Sequence, residues 1–212
     1  MILKVLVACE FSATVREAFS ALGHDATSCD ILATEKKGKH YRGDVRDILD
    51  QGWDLMIAHP PCTYLCNSGV SALHKYPKRW KQLDAATDFF NTLLDAPIPH
   101  IAIENPIPHK YAIERLHNRK YTQVIQPYEF GHPRTKKTCL WLKNLPKLKP
   151  SRNKNSSVYK EMKNISNEER QKLQFLPPSL TRWRTRSKTF DGIAKAMASQ
   201  WTRYLKRHRI QR

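Results

Sequence analysis

The sequence predicts an α/β fold built on a mostly parallel sheet with helices on both faces, and three observations carry the prediction. Short apolar runs recur as unbroken blocks rather than as alternations, the pattern of strands buried on both faces. Stretches of helical periodicity lie between them. A thiol and a carboxylate stand just past the ends of two of the runs, where open α/β sheets place ligands and chemistry.

Residues 2–8 predict the first strand: the apolar start is too short to span a bilayer, and no small-residue cleavage pattern follows a charged leader. Val15, Ala18, Phe19 and Leu22 fall at helical spacing, so residues 13–22 predict a helix stopped by Gly23. A short strand over Ala26 to Cys29 leads into Asp30, and Gly43-Asp44-Val45 marks a turn after a polar loop. Leu55 to Ala58 predicts the next buried strand, Ala85 to Leu94 a helix, Ile101 to Ile103 a strand, Tyr121 to Ile125 another and Thr138 to Leu142 a late one. Residues 143–185 break the rhythm. Pro146, Pro150, Pro177 and Pro178, many Asn and Ser, and dense Lys predict a polar, loop-rich insertion with one short helix near Asn167 to Leu173. Helical spacing returns with Ile193, Ala196, Met197 and Trp201, and no internal repeat is visible.

At 212 residues the chain suits one domain with a substantial core and a small appendage. Five cysteines, at 9, 29, 62, 66 and 139, are an odd number without regular spacing, which argues for a reducing compartment and a cytoplasmic protein rather than a disulfide framework. The charge is divided unevenly. Residues 1–133 hold 15 Lys and Arg against 15 Asp and Glu, and residues 134–212 hold 22 against 4, so the net +18 lies wholly in the last 79 residues. That asymmetry is the footprint of a polyanion partner, because cations placed on phosphates release condensed counterions. A solvated tail or a membrane-surface patch is the plainer alternative. Arg182-Trp183-Arg184-Thr185-Arg186 favours nucleic acid, since its ring can stack on a base while its cations hold the backbone.

Two side chains stand out as chemistry. Taken alone, Cys62 reads as a buried structural thiol, but Pro60-Pro61-Cys62 with Asn67-Ser68-Gly69 behind it turns the reading toward a nucleophile. Cys66 suggests a shared metal with Cys62. No second Cys or His pair at zinc spacing follows, so no metal is expected. Glu104 taken singly is a capping or ion-paired acid; within Glu104-Asn105-Pro106 at a strand end it reads as catalytic.

Three blocks now carry a family resemblance: Asp54 to Cys62 and on through Ser68-Gly69, Ile103-Glu104-Asn105-Pro106, and Phe130-Gly131-His132-Pro133-Arg134-Thr135-Lys136. In order and spacing they resemble the DNA cytosine-5 methyltransferases. The chain looks especially like the short, phage-type members, in which Cys62-Thr63-Tyr64-Leu65, Phe130 to Pro133 and Gly192 to Ala198 recur, and the resemblance covers residues 1–142 and 186–205. It implies a Rossmann-like class I S-adenosylmethionine-dependent methyltransferase fold. The catalytic domain would be residues 1–142 and 186–212, with residues 143–185 as a small basic insertion in the place of a target-recognition region. The setting would be the cytoplasm of a bacterium or phage-infected host.

The resemblance also implies roles. Carbon 5 of cytosine is too weak a nucleophile to take a methyl group directly, so Cys62 would add to carbon 6 as a thiolate, at a turn expected to lower its pKa. Glu104, holding a proton in a partly apolar pocket, would serve ring nitrogen 3. S-adenosylmethionine would be the donor, bound at the first strand-to-helix turn by Phe11, Ser12, Ala13 and Thr14, with Asp30 on the ribose, Asp44 on the adenine amino group, and Pro60 and Ser187 nearby. The usual glycines of that turn are replaced by Ser, Ala and Thr. Where the family presents a Gln and two Arg at alternate positions, this chain has Arg134, Lys136 and Thr138; Lys136 can hold cytosine oxygen 2 or a phosphate, and Arg186 can add a cation. Arg134, Arg182, Trp183, Arg184 and Arg186 would contact DNA, with the cytosine flipped out of a duplex or presented single-stranded. Three rivals stay open: methylation of a free deoxycytidine nucleotide, an inactive DNA-binding relative, and transfer of a different carbon unit to cytosine.

Overall fold

The computed structural model describes residues 1–209; positions 210–212, the end of the expected catalytic segment, lie outside the described residues. Seven strands form one sheet in the order β3-β2-β1-β4-β5-β7-β6, with β1 Lys4–Ala8, β2 Asp25–Asp30, β3 His40–Arg42, β4 Leu55–Ala58, β5 Ile101–Pro106, β6 Gln123–Ile125 and β7 Thr138–Lys143. Strands β1 to β5 pair in parallel, and β7 runs antiparallel between β5 and β6. This is a Rossmann-like α/β sheet, as the unbroken apolar runs predicted.

Alternate residues of each central strand feed opposite faces. Leu6, Ala8, Met56, Ala58, Ile101 and Ile103 pack with Leu83, Phe90 and Leu93 of a long helix and with Trp141. Val5, Val7, Leu55, Ile57, Ala102 and Leu140 pack on the other face with Val15, Phe19, Met197 and Trp201. The helices are α1 Thr14–Ser20, α2 Val70–Lys75, α3 Lys78–Leu94, α4 Lys110–Arg115, α5 Ser157–Asn164, α6 Asn167–Arg170, α7 Lys172–Phe175, α8 Arg182–Ser187 and α9 Asp191–Arg209. Helix α9 lies along α1 and seals one face, with Trp201 fully buried.

Several expectations are corrected. The strand expected at Tyr121 to Ile125 starts at Gln123, and the helix expected at Ala85 begins at Lys78, because its first turns are polar and carry little apolar periodicity. The single helix expected near Asn167 to Leu173 is two short ones broken at Gln171. The polar segment before Gly43 contains the edge strand β3. Glu104 lies within β5 rather than past its end. Parallel pairing with β4 stops at Ala58 and Ile103, but antiparallel β7 carries β5 on to Pro106.

Two blocks noted in the sequence are structural partners. A Cβ on Gly192 would fall 1.8 Å from the Phe130 carbonyl oxygen, so only glycine permits that approach. The Gly192 N–H donates to His132 Nε2 at 3.0 Å, locking the start of α9 to the Phe130-Gly131-His132 turn.

Candidate active site

Ala8 at the end of β1, Ala58 at the end of β4 and Ile103 of β5 are level, since Ala8 pairs with Ala58 and Ala58 with Ile103. The residues that follow them open on a cavity of about 950 Å³ lined by Cys9, Phe11, Asp30, Asp44, His59, Pro60, Cys62, Cys66, Glu104, Asn105, Lys136, Trp183, Arg186 and Ser187, among others. Cys62, Glu104 and Lys136, the three expected catalytic side chains, thus share one space. So do five of the eight expected donor residues: Phe11, Asp30, Asp44, Pro60 and Ser187.

The Cys62 loop is held from the β5 side. Asn105 Nδ2 donates to the Pro60 carbonyl at 2.9 Å, the Asn67 N–H to Ile107 at 3.1 Å and the His109 N–H to Leu65 at 3.0 Å. Cys66 turns back under Cys62, its N–H donating to the Cys62 carbonyl at 3.1 Å, and the two thiols are hydrogen-bonded. Charge in this pair settles on Cys66. The Cys62 thiol, the Ser68 hydroxyl and the backbone N–H groups of Ser68 and Gly69 stabilise a Cys66 thiolate and hold its pKa below the ordinary thiol value. The bond to Cys66, burial and the nearby Glu104 carboxylate push Cys62 the other way, although Lys136 opposes them. The expected low pKa at Cys62 is therefore corrected: in the ligand-free protein Cys62 is the thiol of the pair.

Glu104 is also corrected. Burial alone would raise its pKa, but His59, the Lys136 cation and Thr138 outweigh burial and keep the carboxyl below its usual range, so the free protein holds a carboxylate there. His59 Nδ1 and Glu104 Oε2 are 3.2 Å apart. Lys136 also ties the site to α8, its Nζ donating to the Arg186 carbonyl at 3.0 Å.

Phe11, Ile31, Leu32 and Val45 give the cavity an apolar lining, which Asp30 and Asp44 share. Asp30 accepts from the Leu32 N–H at 3.0 Å, and burial pushes its carboxyl up. Asp44 caps a short helical turn and is gripped by Arg46, whose bonds hold its pKa down. The first strand-to-helix turn departs from expectation. Glu10 accepts the N–H groups of Val15 at 2.6 Å and Arg16 at 3.1 Å, so those α1 amides are already filled, and Ser12, Ala13 and Thr14 do not line the cavity. Cys9 and Ala13 nevertheless take the left-handed conformation that glycine favours, with φ of 57° and 59°.

The basic segment is divided in role. Trp183 packs edge-on to Phe11 at 5.7 Å between ring centres, and the Arg184 guanidinium lies 5.4 Å from the Phe11 ring, so these two expected DNA contacts cover the Phe11 end of the cavity. Arg134 is paired with Glu169 of α6, and Arg182 donates to the Gln174 carbonyl, both away from the cavity. Leu180, 95% exposed at the tip before α8, is an apolar side chain amid cations. Sequence reasoning missed His59, Cys66 as a charge partner, and Asn105. For His59 and Asn105 the signal is strand register, visible only once β4 and β5 are paired, and for Cys66 it is the turn that returns it to Cys62.

Among the described residues, no group of three or more His, Cys, Asp or Glu is placed to hold a metal ion, and no helix is long and apolar enough to cross a membrane. The chain matches no protein-family model and no curated protein. It is similar in structure to a DNA modification methyltransferase encoded in an Escherichia coli prophage, described as putative, with 13% identity over 66% of this chain and 46% of that one, at a TM-score of 0.43. The Entamoeba histolytica methyltransferase EhMeth shows 16% identity over 72% of this chain and 58% of that one, at 0.46. Dnmt2 of S. pombe shows 18% identity over 69% and 51%, at 0.43. The chain spans about half the length of these proteins.

Proposed function

We propose that the chain transfers a methyl group from S-adenosylmethionine to carbon 5 of cytosine in DNA through a covalent Cys62 adduct. The observation that carries this reading is the convergence of Cys62 and Glu104 in one cavity that Phe11, Ile31, Leu32 and Val45 and the acids Asp30 and Asp44 also line. The residues fit an adenosyl donor: Phe11, Ile31, Leu32 and Val45 suit a base, and Asp30 and Asp44 can accept from its hydroxyl and amino groups. Bound there, the donor supplies an electrophilic methyl on a sulfonium. Residues 1–142 and 186–212 form the catalytic unit in this reading, and residues 143–185 a reduced target-recognition region.

Cytosine enters between Cys62 and Glu104. Proton transfer within the Cys62–Cys66 pair frees the Cys62 thiolate, its sulfur bonds to carbon 6, and a proton that Glu104 takes from solvent as the base binds passes to ring nitrogen 3 and relieves the negative charge. Carbon 5, now part of an enamine, takes the methyl group; a base removes the carbon 5 proton and Cys62 leaves. Lys136 supplies a positive charge beside Glu104. DNA is favoured over a free nucleotide by the +18 charge confined to residues 134–212, which suits a long polyanion. A base within a duplex cannot reach Cys62, so it must be flipped out or already unpaired. The small insertion offers few base-reading side chains, and a short or relaxed target sequence follows.

Mass spectrometry of nucleosides from DNA treated with protein and donor tests the reading. It expects 5-methylcytosine from the wild type and none from Cys62→Ser; a methylated adenine, or a product that persists in Cys62→Ser, refutes it. A different mass increment on cytosine would identify another carbon unit, and exchange at carbon 5 of dCMP would identify the free-nucleotide rival.

A further inference from the structure

Register brings His59 and Glu104 together. Ala58 pairs with Ile103 in the parallel β4–β5 ladder, so the next residue on each strand stands beside the other. We propose that His59 is a positioning residue for Glu104, and that the two act on the substrate pyrimidine as one acid; the proposal rests on the cytosine reading above. A carboxylate only accepts, so Nδ1–H donates to Glu104 Oε2, at 3.2 Å. Both side chains are enclosed, 8% and 14% exposed, so the contact is not a loose surface pair.

The other ring nitrogen carries the argument. His24 uses both nitrogens, taking the Leu3 N–H on Nδ1 and bonding Thr202 through Nε2. His40 bonds Ser28 and the Leu32 carbonyl; His109 takes the Ala112 N–H and bonds the Tyr64 carbonyl. Each of these holds the fold with a completed pair of bonds. His59 Nε2 is buried without a hydrogen-bond partner, and the ring lies on the cavity wall. Native structures leave few buried polar atoms unpaired, and one lining a cavity is a group kept for a ligand.

The proton balance closes through Glu104 and solvent. As Cys62 Sγ bonds to carbon 6, the electron pair of the carbon 5–carbon 6 double bond shifts toward nitrogen 3, which takes a proton from Glu104. Glu104, a carboxylate before the pyrimidine binds, takes that proton from solvent on binding, and the His59 Nδ1–H on Oε2 fixes the carboxyl that passes it to nitrogen 3. When Cys62 leaves, nitrogen 3 gives the proton back to Glu104, which releases it to solvent with the product. Other titratable groups around the pair are Lys136 ahead of β7, Cys139 on β7, Cys62 on its loop and Cys9 after β1.

The test is the rate of covalent capture of a 5-fluorocytosine oligodeoxynucleotide in the presence of donor, followed from about pH 5.5 to about pH 9 in wild type, His59→Asn and His59→Ala. His59→Asn, whose amide N–H can stand in for Nδ1–H, should bind the oligonucleotide within about threefold of wild type. It should capture about 10²-fold more slowly, with His59→Ala slower still. Wild-type rates and profile in both variants overturn the proposal. Carbon-13 NMR of labelled glutamate carboxyls in the free proteins reads the pair independently of turnover. Glu104, assigned by Glu104→Gln, should titrate at higher pH in His59→Asn than in wild type, and identical titration overturns the pairing. A wild type that captures nothing refutes the cytosine reading, while the titration still decides the pair.

Discussion

At the Cys62 end of the cavity each reactive side chain sits on a strand or on a loop tied to one, whereas the Phe11 end is covered by Trp183 and Arg184 from a six-residue helix. The first end is held by backbone ladders and by Asn105, Asn67 and His109. The second rests on a ring contact with Phe11, the Lys136 bond to the Arg186 carbonyl, and a Lys188–Glu35 ion pair at 2.6 Å. Bond making needs atoms fixed to within fractions of an ångström, which a sheet supplies, while a binding wall tolerates a less rigid support. In the cytosine reading this also places donor and DNA on one element, so occupancy of one site bears on the other.

The largest expected effect falls at the rigid end. Cys62→Ala should lower methylation by more than about 10³-fold with donor affinity unchanged, because in the cytosine reading Cys62 makes the carbon 6 bond. Residual methylation within tenfold of wild type would remove the distinction between the two ends. Next comes the Cys62–Cys66 pair: iodoacetamide at pH 7 should alkylate Cys66 well before Cys62, read by peptide mass spectrometry, because the charge resides on Cys66 and the thiolate is the reacting form. The opposite order would put the resting thiolate on Cys62.

At the Phe11 end the effect is smaller. Trp183→Ala removes an aromatic contact of about 0.5–1.5 kcal/mol, so calorimetry should show S-adenosylhomocysteine binding weakened by up to about tenfold. An unchanged affinity, with a loss only in DNA binding, would return Trp183 to the base-stacking role first read from the sequence.

The smallest effect is a stability one, remote from the cavity. His24 accepts the Leu3 N–H on Nδ1, which requires the neutral ring, and burial with the nearby Lys206 charge holds its pKa below 6.5. A group whose folded pKa is depressed contributes stability that is present above the unfolded value and lost as pH falls toward the folded one. The melting temperature should therefore drop as pH is lowered below about 6.5. His24→Gln should show a shallower drop, and parallel curves would assign the pH dependence elsewhere.

The central strands were legible because a strand buried on both faces must be apolar throughout, as Leu55 to Ala58 and Ile101 to Ile103 are. The edge strand His40–Arg42 and the short helix α8 carry no such mark, since exposed elements are under little compositional demand. Cys62, Glu104 and the acids Asp30 and Asp44 were legible as chemical types at strand ends. Their electrostatics were not: the charge on Cys66 depends on a turn, and the carboxylate of Glu104 depends on a neighbour 45 positions away. The glycine-free turn was read as a donor clamp, but Glu10 fills its amides, a contact that local propensity does not reveal.

The central claim is that one sulfur bonds to a pyrimidine inside this cavity. Intact-protein mass spectrometry after incubation with donor and a 5-fluorocytosine oligodeoxynucleotide tests it most directly. The account predicts a wild-type species heavier by the methylated oligonucleotide, attached at Cys62, and its loss in Cys62→Ser. Protein of unaltered mass, or an adduct that survives in Cys62→Ser, would contradict it.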